Sequence, residues 1–401
     1  MVDGGSDDWE RYYVTANATG EKVNAGLWFV NRKEGKTPLK KVHSNITNEV
    51  VFDESLKYDE DAGGVRLDFG NLSVRADWGK YEAEWENSYD NYYPYGFIKG
   101  ALNRQEDEYR RFYVTYAEGG FRGSAYYYKT QKDVNAMWVG EYDDEAWGAE
   151  IYKRELWGTI PAVWGVSFRR EESVTIEDAT MEGKRENAAP FFELSVPMGE
   201  VVANLGVRYE HWSVDEAEDQ DELTPKLSFN YQTASGQMWY LSAGRFFAMP
   251  SLYEIFAPYG GNKNLSPEKG WSYEIGLKSP YDESPWDLGF FYLTMDDKIK
   301  WDDKGTIDWS DDTYNNIAEF RAHGVEFQKV RQLSDEWTWI PTVTWTKAEE
   351  KETTTSPWKK SGMPQWDIAS RFVYEKGPWS GELSAHFLGS READKEKYEA
   401  D

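Results

Sequence analysis

A chain of 401 residues with no cysteine must do any chemistry through histidine, carboxylates, hydroxyls, amines or aromatic rings. Thiol nucleophiles, thiolate metal sites and disulfides are excluded together. The four histidines, His43, His211, His323 and His386, are scattered along the chain. None falls in an H-E-x-x-H pair, and G-x-S-x-G, P-loop and G-x-G-x-x-G patterns are also absent. With 72 Asp and Glu, paired carboxylates arise everywhere and single out no acid–base couple. The acidic run Asp215–Glu222 has oxygen ligands enough for Ca²⁺ but no ordered ligand spacing, so it reads as a solvated loop. No catalytic residue, resident metal or cofactor is expected, and the chain does not read as an enzyme.

Aromatic side chains are the conspicuous resource: 20 Trp, 27 Tyr and 19 Phe. Several stand in polar segments between apolar runs, where they offer stacking surfaces to a ring-bearing ligand. These are Tyr92, Tyr93 and Tyr95 in NYYPYGF, Trp138 and Tyr142 in MWVGEYDDE, Tyr259 in FAPYGGN, and Trp301, Trp309 and Tyr314. The same rings also suit an interfacial girdle or loop packing. Lys and Arg total 45, and the net charge of −27 argues against nucleic acid as a partner.

The elements that must hold these residues follow from a period of two. In VVANLGVRYEHW, Val201, Ala203, Leu205, Val207 and Tyr209 share one face, while Asn204, Gly206, Arg208 and Glu210 share the other. Leu227, Phe229 and Tyr231 oppose Lys226, Ser228 and Asn230; Trp271, Tyr273, Ile275 and Leu277 oppose Ser272, Glu274, Gly276 and Lys278. There are roughly 18–20 such segments, mostly of 8–12 residues, close to the ~9–11 of a tilted membrane strand. No segment holds a 3.6 period, and the one helical turn expected is Ser251–Phe256. Tight connections such as Glu118-Gly119-Gly120, Met198-Gly199-Glu200 and Gly377-Pro378 alternate with long polar ones at 214–222, 296–313 and 348–362. That alternation is the mark of an up-and-down antiparallel sheet closing on itself.

The apolar face packs either on a second sheet, as in a soluble carbohydrate-binding sandwich or propeller, or on lipid. Aromatics near strand ends (Trp212, Trp239, Trp271, Trp286, Trp337, Trp366, Trp379) and polar faces carrying both signs of charge favour the membrane barrel.

The densest pattern is 238–278, MWYLSAGRFFAMPSLYEIFAPYGGNKNLSPEKGWSYEIGLK. Pro250 and Pro267 lack a donor and suit positions where a ladder ends; Gly260, Gly261 and Asn262 permit positive φ. Glu254, Glu268 and Glu274 are placed to accept backbone N–H groups or to pair with lumenal cations. The stretch resembles the signature of TonB-dependent outer-membrane receptors. Its first element is Phe247, Ala248, Met249, Pro250, Ser251, Leu252, Tyr253 and Glu254. Its second is Asn262, Lys263, Asn264, Leu265, Ser266, Pro267 and Glu268, followed by Tyr273-Glu274-Ile275-Gly276-Leu277-Lys278. Downstream, Tyr314, Asn316, Gly324 and Glu326 are similar to the family's "Y-x-N…GVE" strand. Ala248 and Lys263 depart from it, standing where an Arg and a Pro are usual.

The resemblance implies an all-β fold, an antiparallel transmembrane β-barrel of about 22 strands in the family. It implies an outer-membrane location, contact with lipid, and uptake of a scarce ligand energised by the TonB complex through an N-terminal plug. A ferric siderophore is the leading ligand; haem and cobalamin are alternatives within the family. The motif residues are expected to build a structural corner. Residues 1–401 would form the barrel portion, without the plug and without the family's last strands. Tyr259 is the residue that keeps haem ligation open. His211 and His323 share parity with apolar neighbours, and His386 has lumenal parity.

Overall fold

The computed structural model describes residues 2–4, 10–43, 50–89, 98–136, 139–177, 179–280, 284–304, 310–389, 391–393 and 396–398. They form one 21-stranded sheet and a two-stranded hairpin of Arg391–Ala393 with Glu396–Tyr398. Three members, Val2–Gly4, Arg331–Gln332 and Lys359–Lys360, are short; the others run from 10 to 21 residues, each antiparallel to its chain neighbour. The expected all-β antiparallel architecture is thus present, in a meander without crossovers. Among the described residues, no ladder joins Glu10–Thr19 to Trp379–Leu388, and both strands are exposed along nearly their whole length.

Register turns the alternation into two surfaces. Phe229, Leu241, Ile275, Phe290, Val325 and Trp345 pair in sequence across six strands. Leu241, Ile275 and Phe290 of this row are 48–49% exposed, the reverse of a core. Around it, Trp271, Tyr273, Tyr292, His323 and Trp345 form a ring-to-ring ladder with centroids 5.9–6.5 Å apart. That is an outward hydrophobic band with an aromatic border. One residue along, the inward row is Asn230, Tyr240, Gly276, Gly289, Glu326 and Thr344. A Cβ at Gly276 would collide with the Tyr240 ring, so glycine is what allows that ring to lie flat on the inner wall.

Three expectations need correction. Trp212 does not join the aromatic border: it is 7% exposed on the inward side, under the Arg185 guanidinium, because its parity is that of Arg208 and Glu210. Strands are often longer than 8–12 residues; Ile98–Glu118 has 21 and Asn24–His43 has 20. Their outer ends are charged on both faces, so alternation fades while pairing continues. The supposed loops shorten accordingly: Trp286–Asp302 takes 296–302 of the connection 296–313, Trp337–Lys351 enters 348–362, and Gln220–Gln232 takes the end of 214–222.

The two ends differ. One carries tight turns with positive-φ glycine at 70, 119, 120, 158, 199, 236 and 377. The other carries the long connections, including 249–267.

Candidate functional site

The connection 249–267 folds inward as a strap. Ser251 starts a short helix, Leu252–Phe256, as a complete capping box. The Ser251 amide donates to Glu254 Oε2 (2.7 Å) and the Glu254 amide donates to Ser251 Oγ (3.1 Å). Leu252 and Ile255 are buried against Ile160–Ile176 and Thr180–Met198, and Phe256 lies over Gly183, where a Cβ would be 2.5 Å from its ring. Pro250 and Pro267, at the two ends of the strap, are among the most buried side chains of the molecule.

The motif asparagines tie the strap down. Asn262 Nδ2 donates to the Tyr314 carbonyl (2.8 Å), and Asn262 Oδ1 accepts from the Asn264 amide (2.9 Å). Asn316 Oδ1 accepts from the Ser266 amide (2.9 Å), and its Nδ2 donates to the carbonyls of Ser266 (2.9 Å) and Asp297 (2.6 Å). Glu268 Oε1 takes the Ile299 amide at 2.7 Å, and Leu265 is buried beneath. Lys263 reaches Glu216 (2.6 Å) on the neighbouring connection and holds that carboxyl below the usual carboxylate range. Ser251, Glu254, Asn262, Glu268 and Asn316 thus hold the strap by hydrogen bonds, and Lys263 by an ion pair. Further down the wall, Glu274 and Glu326 line a second, polar cavity beside Tyr240, and Gly324 gives room to the Phe291 ring.

Under the strap lies a cavity of about 760 Å³. Tyr128, Tyr142, Tyr253 and Trp85 give it aromatic walls; Lys132, Arg169 and Arg185 face carboxylates including Glu171 and Glu177. Tyr142 donates to Glu177 Oε1 (2.6 Å). Burial, then the nearby Glu177 charge, pushes the Tyr253 phenol up. Arg185, at the centre, pairs with Glu171, donates to the Pro250 carbonyl (2.5 Å) and covers the Trp212 ring at 5.0 Å. It links the cavity wall to the strap.

Of the sequence candidates, Tyr142 lines this cavity. Trp301 and Tyr314 meet edge-to-face at 5.0 Å and seat Gly260 of the strap; the Tyr314 amide donates to the Gly260 carbonyl (2.9 Å). Tyr259 is 65% exposed on the strap. Tyr92, Tyr93, Tyr95, Trp138 and Trp309 lie outside the described residues. Sequence reasoning missed Trp85, Tyr128, Lys132, Arg169 and Arg185. Parity marks each as inward, but only the inward fold of the strap shows which inward residues share a cavity. His211 pairs with Asp221 (2.9 Å), His386 with Asp367 (2.7 Å), and His323 sits in the aromatic border.

Comparison with known proteins converges on this geometry. The family model described as TonB dependent receptor-like, beta-barrel matches residues 6–398. The vitamin B12 transporter BtuB of Vibrio cholerae is 25% identical over 244 residues, covering 51% of this chain and 38% of that protein. BtuB of Photobacterium profundum is 29% identical over 104 residues, or 26% of this chain and 17% of that protein. The chain thus spans well under half the length of these curated relatives. Among solved structures, the copper transporter OprC superposes with a TM-score of 0.74 at 14% identity, covering 98% of this chain and 67% of that one. The ferric enterobactin receptor PfeA of Pseudomonas aeruginosa gives 0.73 at 14%, covering 98% and 68%. The siderophore receptor PiuA of Acinetobacter baumannii gives 0.71 at 12%, covering 98% and 71%. Such identities speak to fold alone, but the family match runs almost from end to end: the chain belongs to the TonB-dependent receptor β-barrel family.

Proposed function

We propose that residues 1–401 are the barrel wall of a bacterial outer-membrane receptor that captures a scarce metal chelate and passes it inward with energy from TonB. The glycine-turn end faces the periplasm and the strap end faces outward, the arrangement short and long connections take in such barrels. TonB acts through a plug domain seated against the polar inner wall. The observation that carries this reading is the cavity of about 760 Å³ beneath the strap, within the range of small-molecule sites. Its aromatic faces and mixed polar groups suit a chelate, carried as cargo. A ferric siderophore is the leading ligand. Cobalamin is the second reading, favoured by the vitamin B12 transporters among the relatives. Tyr259 is the ring available to haem.

The test is a panel titration of the detergent-purified protein, read by intrinsic fluorescence quenching, with ferric siderophores, cyanocobalamin and haemin. One chelate should bind, and Tyr142→Ala or Tyr253→Ala should weaken it about tenfold or more, equivalent to ~1.4 kcal/mol. Binding that ignores both substitutions, or no binding across the panel, overturns the proposal.

A further inference from the structure

We infer that the cavity selects a metal chelate without net negative charge; this rests on its being the ligand site. On the inward face its lining carries three carboxylates, Asp144, Glu171 and Glu177, against three cations, Lys132, Arg169 and Arg185; Glu145 and Glu172 have the outward parity of Trp147 and Arg170. Two of the cations are already committed, since Arg169 and Arg185 both close on Glu171. Side-chain exposures of 12% for Arg185 and 11% for Glu171 make that pair a desolvated unit. Turning Arg185 towards an incoming anion would leave the desolvated Glu171 with Arg169 alone and release the Pro250 carbonyl, so the guanidinium is held in place.

Lys132 is left. Its ammonium lies 5.4 Å from the Tyr142 ring centroid, and Tyr142 is itself held by Glu177. On the outer face Arg170 is shared between Glu172 and Glu186 and adds nothing to the cavity. Inward carboxylates and cations therefore balance three to three. The chain as a whole adds a field of −27. A ligand entering here meets no surplus of positive charge. It meets three phenols and an indole, Tyr128, Tyr142, Tyr253 and Trp85, which stack on organic rings whatever their charge.

Two iron chelates separate the alternatives. A ferric tris-hydroxamate is neutral, because three monoanionic groups balance Fe³⁺; a ferric tris-catecholate keeps three negative charges. Both are titrated into the purified protein at low and high salt. The neutral chelate should bind at least about tenfold tighter at low salt. The gap should narrow at ~1 M salt, where the Debye length falls to about 3 Å. It should also narrow in an Asp144→Asn variant. Equal or tighter binding of the trianionic chelate, still weakened by Tyr142→Ala, overturns the charge inference and leaves the site standing. Binding of neither chelate, nor of any other in the panel, overturns the site and the inference together.

Discussion

Asn316 does three jobs with one amide, joining Ser266 at both its N–H and C=O and capturing the Asp297 carbonyl. Its type was legible in the sequence as part of a motif; its role was not, because the partners lie 50 and 19 residues away. Asn316→Ala leaves these groups without partners and should cost about 1–3 kcal/mol of local stability. Limited proteolysis checks it: cleavage within 257–263 should appear in the variant while the strands stay resistant. The Lys263–Glu216 pair gives a pH signature. Lys263 depresses the Glu216 pKa, so the tie is complete above the ordinary carboxylate value of about 4.3 and is lost only as pH falls through the lower folded value. Hydrogen exchange at the strap should therefore be unchanged between pH 7 and pH 5 and rise only in stronger acid; Lys263→Ala should abolish that acid step.

Among the elements, the strands were readable wherever one face is apolar. Leu205, Val207 and Tyr209 against Arg208 and Glu210 leave little choice of register once lipid and lumen are distinguished. Their outer continuations, such as Glu82 and Glu84 against Glu106 and Arg104, are charged, and there only cross-strand pairing reveals a strand. The helix was readable because Ser251 and Glu254 stand three residues apart, the spacing a capping box needs. Its docking across the lumen was not, since that depends on the small Gly183 in a distant strand. Glycine on the inner wall is tested at Gly276. Gly276→Leu should overpack the Tyr240 ring and cost about 1–3 kcal/mol, and Tyr240→Ser in the same chain should recover most of it. Thermal shift of the heat-modifiable band on gels reads both.

For the whole molecule, the decisive property is that large apolar side chains stand exposed along the strands. Leu241 and Ile275 are each 48% exposed, while Glu222 is buried on the inner side between Arg245 (2.8 Å) and Lys269 (2.6 Å). This inverts a soluble core, and hydrocarbon outside makes it stable. Leu241→Arg should cost ~2–4 kcal/mol in bilayers, whereas Ser242→Arg, one residue along and inward, should cost far less. The chain has no cysteine, so single cysteines along Met238–Ala248 report without background. Each position is spin-labelled in reconstituted bilayers and its collisions with lipid-soluble oxygen and a water-soluble nickel chelate are compared. Strict alternation is expected, with Trp239, Leu241 and Ala243 on the oxygen side and Tyr240, Ser242 and Gly244 on the nickel side. Labels at 239, 241 and 243 shielded from oxygen, as in a protein core, would contradict it.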